Sequence, residues 1–284
     1  MTRATISDTP QARRKKLYGR GPTTVYACRS DPRFSYALYI PPGFDEDPAG
    51  HDLLVAIHGT SRIFLSYRDA FSQFGRFNKV VVLAPLFPVG IFGDDNEDGY
   101  KLMREREVRY DLLLLEMVAE VEARLGASFG RFMMSGFSGG GQFVNRFLFL
   151  HPRRLSAASI GAPGSVTLID DSRDFWVGTR NLVDLFGLAP DIPAMRDVAV
   201  QMIVGAADIE TWEINYAPGS HNYMDGINDT GRTRVERNTA LKHNFEAHGI
   251  AVTQDIVPNA AHDFSKLAGH VEDFFLRTLR GRRG

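Results

Sequence analysis

Short apolar runs alternate with longer segments of helical periodicity along most of this chain, and that alternation restricts its fold more than any other feature. Residues 53–57, 80–84, 156–160, 198–204 and 251–257 have the length of strands and are too short for stable helices. Several are apolar at almost every position, a pattern that strands show when both faces are covered. Residues 34–40, stopped by Pro41-Pro42-Gly43, and the short run 131–135 complete the expected strands, and Pro85 is expected to end the run 80–84. Residues 110–125, 142–150, 238–248 and 265–279 carry apolar side chains at helical spacing, with Gly126 and Gly249 placed to stop two of them. Strands alternating with helices of this length predict an α/β domain, with a mostly parallel central sheet and helices on both faces. Two segments break the pattern. Residues 165–197 form a long crossover containing Phe175, Trp176 and Phe186, and residues 209–237 form a second excursion rich in Gly, Asn and Asp. Loops this long in a compact domain are functional or disordered. The first is expected to be a lid-like insertion beside the ligand site, its adjacent aromatics Phe175 and Trp176 lining the substrate pocket because large rings need apolar contact.

A chain of 284 residues suits one domain, expected to span 1–284. The 33 basic residues are balanced by 34 acidic ones. A net charge of −1 gives no electrostatic case for a nucleic-acid partner or an anionic membrane surface. The basic stretches 13–16 and 277–283 lie near the ends and are expected to be solvated and partly frayed. Cys28 is the single cysteine, so no intrachain disulfide can form, which suits a reducing compartment. The first ten residues lack the apolar core of a signal peptide, and no run approaches the roughly 18 apolar residues of a membrane span. The expectation is a cytoplasmic protein that does not engage membranes.

The chemistry centres on Gly136-Phe137-Ser138-Gly139-Gly140, set between the strand ending at Ser135 and the helix beginning near Gln142. A strand-to-helix turn this tight holds its middle residue in a strained conformation with the side chain outward. Small neighbours are required because the two backbones nearly touch. Ser138 then presents its hydroxyl at a helix N-terminus, where backbone N–H groups stabilise a developing oxyanion. Such a serine needs a base on a loop after the last strand. His262 meets that requirement, between the strand 251–257 and the final helix. His151, His243, His248 and His270 fall in or beside helices and read as surface or packing residues. The base in turn needs a carboxylate to fix its tautomer. Asp208 follows the strand 198–204 directly and is the leading candidate, with Glu210 competing two residues on. Oxyanion donors are expected from the Gly139 N–H and from the loop His58-Gly59-Thr60-Ser61, where the Thr60 N–H is chosen and His58 braces the loop.

The strand-His58-Gly59 loop, the Gly136-to-Gly140 turn, Asp208 after a late strand and Ala261-His262-Asp263 near the end together resemble the α/β-hydrolase superfamily of serine hydrolases. The resemblance runs from about residue 34 to the C-terminus, and the order Ser138, Asp208, His262 is the one that superfamily implies. Within it, Tyr39-Ile40-Pro41-Pro42-Gly43-Phe44 and the single His-Gly are similar to the polyhydroxyalkanoate depolymerase and feruloyl esterase branch. The multi-glycine loop of the hormone-sensitive-lipase group is missing, and Ser138 stands where the haloalkane dehalogenases have Asp. The resemblance implies an esterase that hydrolyses a small to medium carboxylic ester through a Ser-His-Asp triad and an acyl-enzyme, without a cofactor. The same triad serves amide, lactone and thioester hydrolysis, and a non-catalytic binding protein on the same scaffold is a further alternative. Residues 94–105, Asp94 to Glu105, have the spacing of a calcium loop. No helical pattern precedes them and Lys101 occupies a position normally apolar, so no metal is assigned and a solvated acidic loop is expected.

Overall fold

The structure is a computed structural model that describes residues 18–283. The basic stretch 13–16 lies outside the described residues. Among the described residues ten strands form in chain order: β1 (Gly21–Ala27), β2 (Ser35–Ile40), β3 (Asp52–Ile57), β4 (Val80–Leu86), β5 (Arg104–Glu105), β6 (Val108–Arg109), β7 (Phe132–Phe137), β8 (Leu155–Gly161), β9 (Ala199–Gly205) and β10 (Val252–Val257). β5 and β6 pair only with each other; the other eight make one sheet in the order β1-β2-β4-β3-β7-β8-β9-β10. β1 and β2 are antiparallel to their neighbours, and every pairing from β4 to β10 is parallel. The chain runs from β3 outward to β4 and then returns to the other side of β3 as β7. That reversal opens a crevice at the carboxyl ends of β3 and β7, where open α/β sheets bind ligands.

Among the described residues eight α-helices flank the sheet: α1 (Phe64–Ala70), α2 (Ser72–Asn78), α3 (Tyr110–Leu125), α4 (Gly139–Leu150), α5 (Leu182–Phe186), α6 (Ile192–Arg196), α7 (Arg234–Ala247) and α8 (Phe264–Arg283). Side chains alternate between two cores, as a strand's two-residue period requires. Leu53, Val55, Ile57, Val81 and Leu83 pack with α3, α4 and α7. Leu54, Ala56, Val80 and Val82 pack on the opposite face with α1, α2 and α8. Covering both faces is what makes these strands apolar at consecutive positions. α4 is buried along its entire length, between the sheet and the crossover 165–197. No helix among the described residues is long and apolar enough to cross a membrane.

Several expectations need correction. β4 continues through Pro85, which lies opposite Tyr36. β3 pairs with β4 only as far as Leu83, so a residue without an N–H is tolerated beyond that point. The helix expected at 238 starts four residues earlier, at Arg234, where Thr233 and Glu236 form a capping box. The basic run 277–283 is not frayed. It forms the end of α8, and Arg282 and Arg283 pair with Asp52 at 3.2 and 2.6 Å. The crossover 165–197 is seated on α4: the Thr167 N–H donates to Asn145 Oδ1 at 2.7 Å, and the Thr167 hydroxyl accepts from Arg146 Nε at 3.0 Å.

Candidate active site

Ser138 sits between the end of β7 and the first residue of α4, with φ 59° and ψ −118°. This left-handed conformation is costly for a residue with a Cβ and is held by its surroundings. The Ser138 N–H donates to the Gly161 carbonyl at 2.9 Å, and its own carbonyl accepts from the Gln142 N–H at 3.1 Å. Backbones approach closely around it. A Cβ on Gly140 would stand 2.5 Å from the Ile57 carbonyl oxygen, and one on Gly141 would stand 2.2 Å from that of Gly161. Gly141, one residue past the expected motif, is therefore as constrained as the glycines within it. Gly141→Ala must push α4 off β8, so we expect it to lower the unfolding free energy by about 1–3 kcal/mol or more in urea titrations. An unchanged midpoint would show that the turn can give way without cost.

His262 lies between β10 and α8. Its Nδ1 is 2.6 Å from Asp208 Oδ2. The two residues follow neighbouring strands whose ends are knitted together: the Ala206 N–H donates to the Val257 carbonyl and the Ala207 N–H to the Ala260 carbonyl, each at 2.8 Å. A carboxylate facing Nδ1 keeps the proton there and leaves Nε2 as the acceptor. Phe137 lies against the imidazole, with ring centroids 4.6 Å apart. Asp208 is buried and its second oxygen accepts from Arg234 Nη1 at 3.3 Å. Arg234 also donates to Glu213 at 2.5 Å. Glu210, the competing carboxylate, is exposed to solvent. In the crossover, Asp170 bonds Ser172 and Asp174 bonds Arg180.

Thr60 follows β3 and adjoins Gly139: a Cβ on Gly139 would touch Thr60 Oγ1 at 3.1 Å. The loop is braced by His58, which is fully buried. His58 Nδ1 lies 2.8 Å from the Gly59 carbonyl, and Nε2 accepts the Phe87 N–H at 3.0 Å, which requires the neutral ring. Burial pushes its pKa down to about 3. A histidine neutral when folded and free to protonate when unfolded favours unfolding as the pH falls, so this contribution is complete above pH 6.5 and lost toward pH 3. Between pH 7 and 5 the wild type should lose about 2 kcal/mol more unfolding free energy than His58→Gln. Equal losses in urea titrations at the two pH values would mean that His58 protonates within the folded protein.

Ser138 stands where two compartments meet. One, of about 640 Å³ and open to solvent, is lined by Thr60, Lys101, Gln142, Tyr216, Asn222 and Arg234 and by the carboxylates of Glu97, Asp98 and Glu213. The other, of about 990 Å³, is lined by Ile63, Tyr67, Phe137, His262 and Phe264. Trp176 borders an inner extension of the first compartment, beside Lys101 and Tyr216. Phe175 does not reach either space. Its ring packs edge-on against Phe186 at 4.9 Å, so the apolar partner that it needs comes from its own crossover.

No protein-family model and no curated protein matches the sequence. The fold, by contrast, has many solved counterparts. A poly(3-hydroxybutyrate) depolymerase from Bordetella parapertussis is similar over 95% of this chain and 96% of its own, with a TM-score of 0.71 and 21% identity. Poly(aspartic acid) hydrolase-1 from Sphingomonas sp. KT-1 is similar over 84% of this chain and 92% of its own, with a TM-score of 0.68 and 21% identity. An S-formylglutathione hydrolase from Staphylococcus aureus is similar over 90% of this chain and 97% of its own, with a TM-score of 0.60 and 13% identity. The chain has the α/β-hydrolase fold.

On this α/β-hydrolase sheet, Ser138, Asp208 and His262 follow the carboxyl ends of β7, β9 and β10. The acidic segment 94–105 is solvated at Asp94, Asp95 and Glu97, as expected, but not through most of its second half. Tyr100, Lys101 and Glu105 are buried, and the segment folds over the Ser138 turn. Three of its five carboxylates have separate partners: Asp94 pairs with Arg106, Asp98 with Lys101, and Glu105 accepts from the Tyr110 hydroxyl. Among the described residues no three acidic, His or Cys side chains are grouped to hold a metal ion. Lys101, weighed in the sequence only against a calcium loop, reaches the cleft, as do Asn222, Tyr216 and Arg234, which went unnoticed. The first three come from aperiodic segments, and the only local mark of Arg234 is the capping box beside it.

Proposed function

We propose that this α/β-hydrolase is a serine hydrolase that cleaves a carboxylic ester of a small molecule, with Ser138 as nucleophile, His262 as base and Asp208 as orienting acid. The observation that carries this reading is the 2.6 Å contact between His262 Nδ1 and Asp208, with His262 and Ser138 on the walls of one cleft. Nε2 of His262 takes the proton as Ser138 Oγ attacks the acyl carbon. The N–H groups of Gly139 and Thr60 receive the oxyanion. The tetrahedral species collapses to an acyl-enzyme as the histidine protonates the departing alcohol. Water, deprotonated by the same Nε2, then releases the acid and restores Ser138. The ester hydrolase reading agrees with the names of the depolymerase and of a ferulic acid esterase of similar fold. Trp176 bounds the inner end of the acyl side in this reading. Amide and thioester cleavage use the same machinery, and the poly(aspartic acid) and S-formylglutathione hydrolases are named for such substrates.

An active-site-directed fluorophosphonate followed by peptide mass spectrometry tests this directly. Modification of Ser138 is the expected result. An unmodified Ser138 would leave a binding protein on a hydrolase scaffold as the better account. Parallel assays with esters, amides, lactones and thioesters then rank the scissile bonds.

A further inference from the structure

The two compartments beside Ser138 differ in chemistry, and the serine-hydrolase reading assigns each a part of the substrate. The histidine protonates the leaving group, so the alcohol departs on the His262 side, along Ile63, Tyr67, Phe137 and Phe264. The acyl group must then extend past Thr60 and Gly139 toward Lys101. Lys101 lies at the threshold of that compartment, its Cε 3.0 Å from where a Cβ on Gly139 would be. Its side chain is 10% exposed, and Nζ donates to Asp98 Oδ1 at 2.5 Å. The other Asp98 oxygen accepts from Asn222 Nδ2, so this carboxylate is bonded on both sides. Lys101 retains two further N–H donors.

Two buried cations stand behind this pair. Arg146 is completely buried and donates to the Lys101 carbonyl at 2.6 Å, Ser165 Oγ at 2.9 Å, Thr167 Oγ1 at 3.0 Å and Gln142 Oε1 at 3.1 Å. All four acceptors are neutral. Arg237, also fully buried, donates to the carbonyls of Gly164 and Gly231 and to Asn215 and Asn228. Burial lowers the two guanidinium pKa values to about 9 and about 10, which leaves both charged at neutral pH. Neither forms an ion pair with a carboxylate among the described residues. Arg146 lies directly behind Lys101, so its charge reinforces Lys101 in a compartment that Glu97, Asp98 and Glu213 also line.

We propose that the polar compartment binds an acyl group ending in a carboxylate, as in the half-ester of a short dicarboxylic acid, and that Lys101 receives that carboxylate. Hydrolysis breaks the acyl C–O bond; water supplies the hydroxyl to the acyl carbon and a proton to the alkoxide, giving a dicarboxylate and an alcohol. The inference rests on the serine-hydrolase reading, and the experiment separates the two. Rates are measured on monoethyl glutarate, neutral ethyl valerate and cationic ethyl 4-(trimethylammonio)butyrate, for the wild type, Lys101→Met and Lys101→Arg. A charge-assisted contact predicts that kcat/KM for the glutarate exceeds that for the valerate by about tenfold or more. Lys101→Met should abolish this ratio and Lys101→Arg should largely keep it. Preference for the neutral or the cationic ester, or a ratio unaffected by Lys101→Met, would overturn the proposal. Should Lys101→Met not fold, protection of wild-type Ser138 from fluorophosphonate decides: glutarate slows labelling and 1-pentanol does not, whereas equal protection overturns it. Labelling of Ser138 without any preference for the anionic ester defeats this inference alone. Absence of both labelling and turnover defeats the serine-hydrolase reading as well.

Discussion

Ser138→Ala is expected to lower turnover by on the order of a millionfold while the protein stays folded. The large loss follows from the division of labour at the site. Without Oγ there is no covalent intermediate, and His262 has no serine proton to accept. What remains is binding together with the N–H donors of Gly139 and Thr60, and in serine hydrolases such a remnant is worth roughly 10³–10⁴ over the uncatalysed reaction. The fold should survive because the backbone bonds that hold the turn, to Gly161 and from Gln142, do not involve the hydroxyl. Steady-state rates on a simple ester, with circular dichroism and a melting curve, check both halves of the statement. Activity within tenfold of the wild type would put the nucleophile elsewhere.

Asp208→Asn is expected to cost on the order of 10⁴ in turnover. The new amide would direct its NH2 toward His262 Nδ1, driving the proton onto Nε2, where it cannot act as a base. Arg234 would lose one of its two carboxylates and keep Glu213, so a measurable fall in melting temperature should accompany the kinetic loss. Glu210→Gln touches an exposed side chain and should change turnover little. The comparison is made at saturating ester, with the two variants side by side. If Glu210→Gln proved the more damaging, the acid would have to be reassigned.

Much of the sheet was legible in the sequence because β3, β4, β8 and β9 are covered on both faces and therefore read as unbroken apolar runs. β1 escaped notice for the opposite reason: it is an edge strand with most of its residues at least partly exposed. α1 and α2 are seven residues each, lack side-chain caps and meet at Phe71, so neither boundary left a local mark. The candidate triad could be named because each member stands directly after a strand end, a position that depends on local pattern. Lys101, Tyr216 and Asn222 could not, because they reach the cleft from irregular segments whose course is decided by tertiary packing. Phe175 shows the same limit from the other side. Its need for an apolar partner was readable, but which ring met that need, Phe186, was not.

The strand ends beneath the site are joined step by step. The Ser138 N–H bonds to Gly161 at the end of β8, the Ala162 N–H to Ile203 in β9, and the Ala206 N–H to Val257 in β10. Serine, aspartate and histidine thus stand on a continuous backbone frame, and the segments 165–197 and 209–237 stand outside it. Changes in those two segments that spare Arg234, which bonds the second Asp208 oxygen, and Glu213, which bonds Arg234, would alter what the cleft admits without moving the reacting atoms. In such a molecule the choice of substrate can drift while the chemistry stays still, and a designer seeking a new specificity has two long stretches of chain to rewrite before touching the machinery.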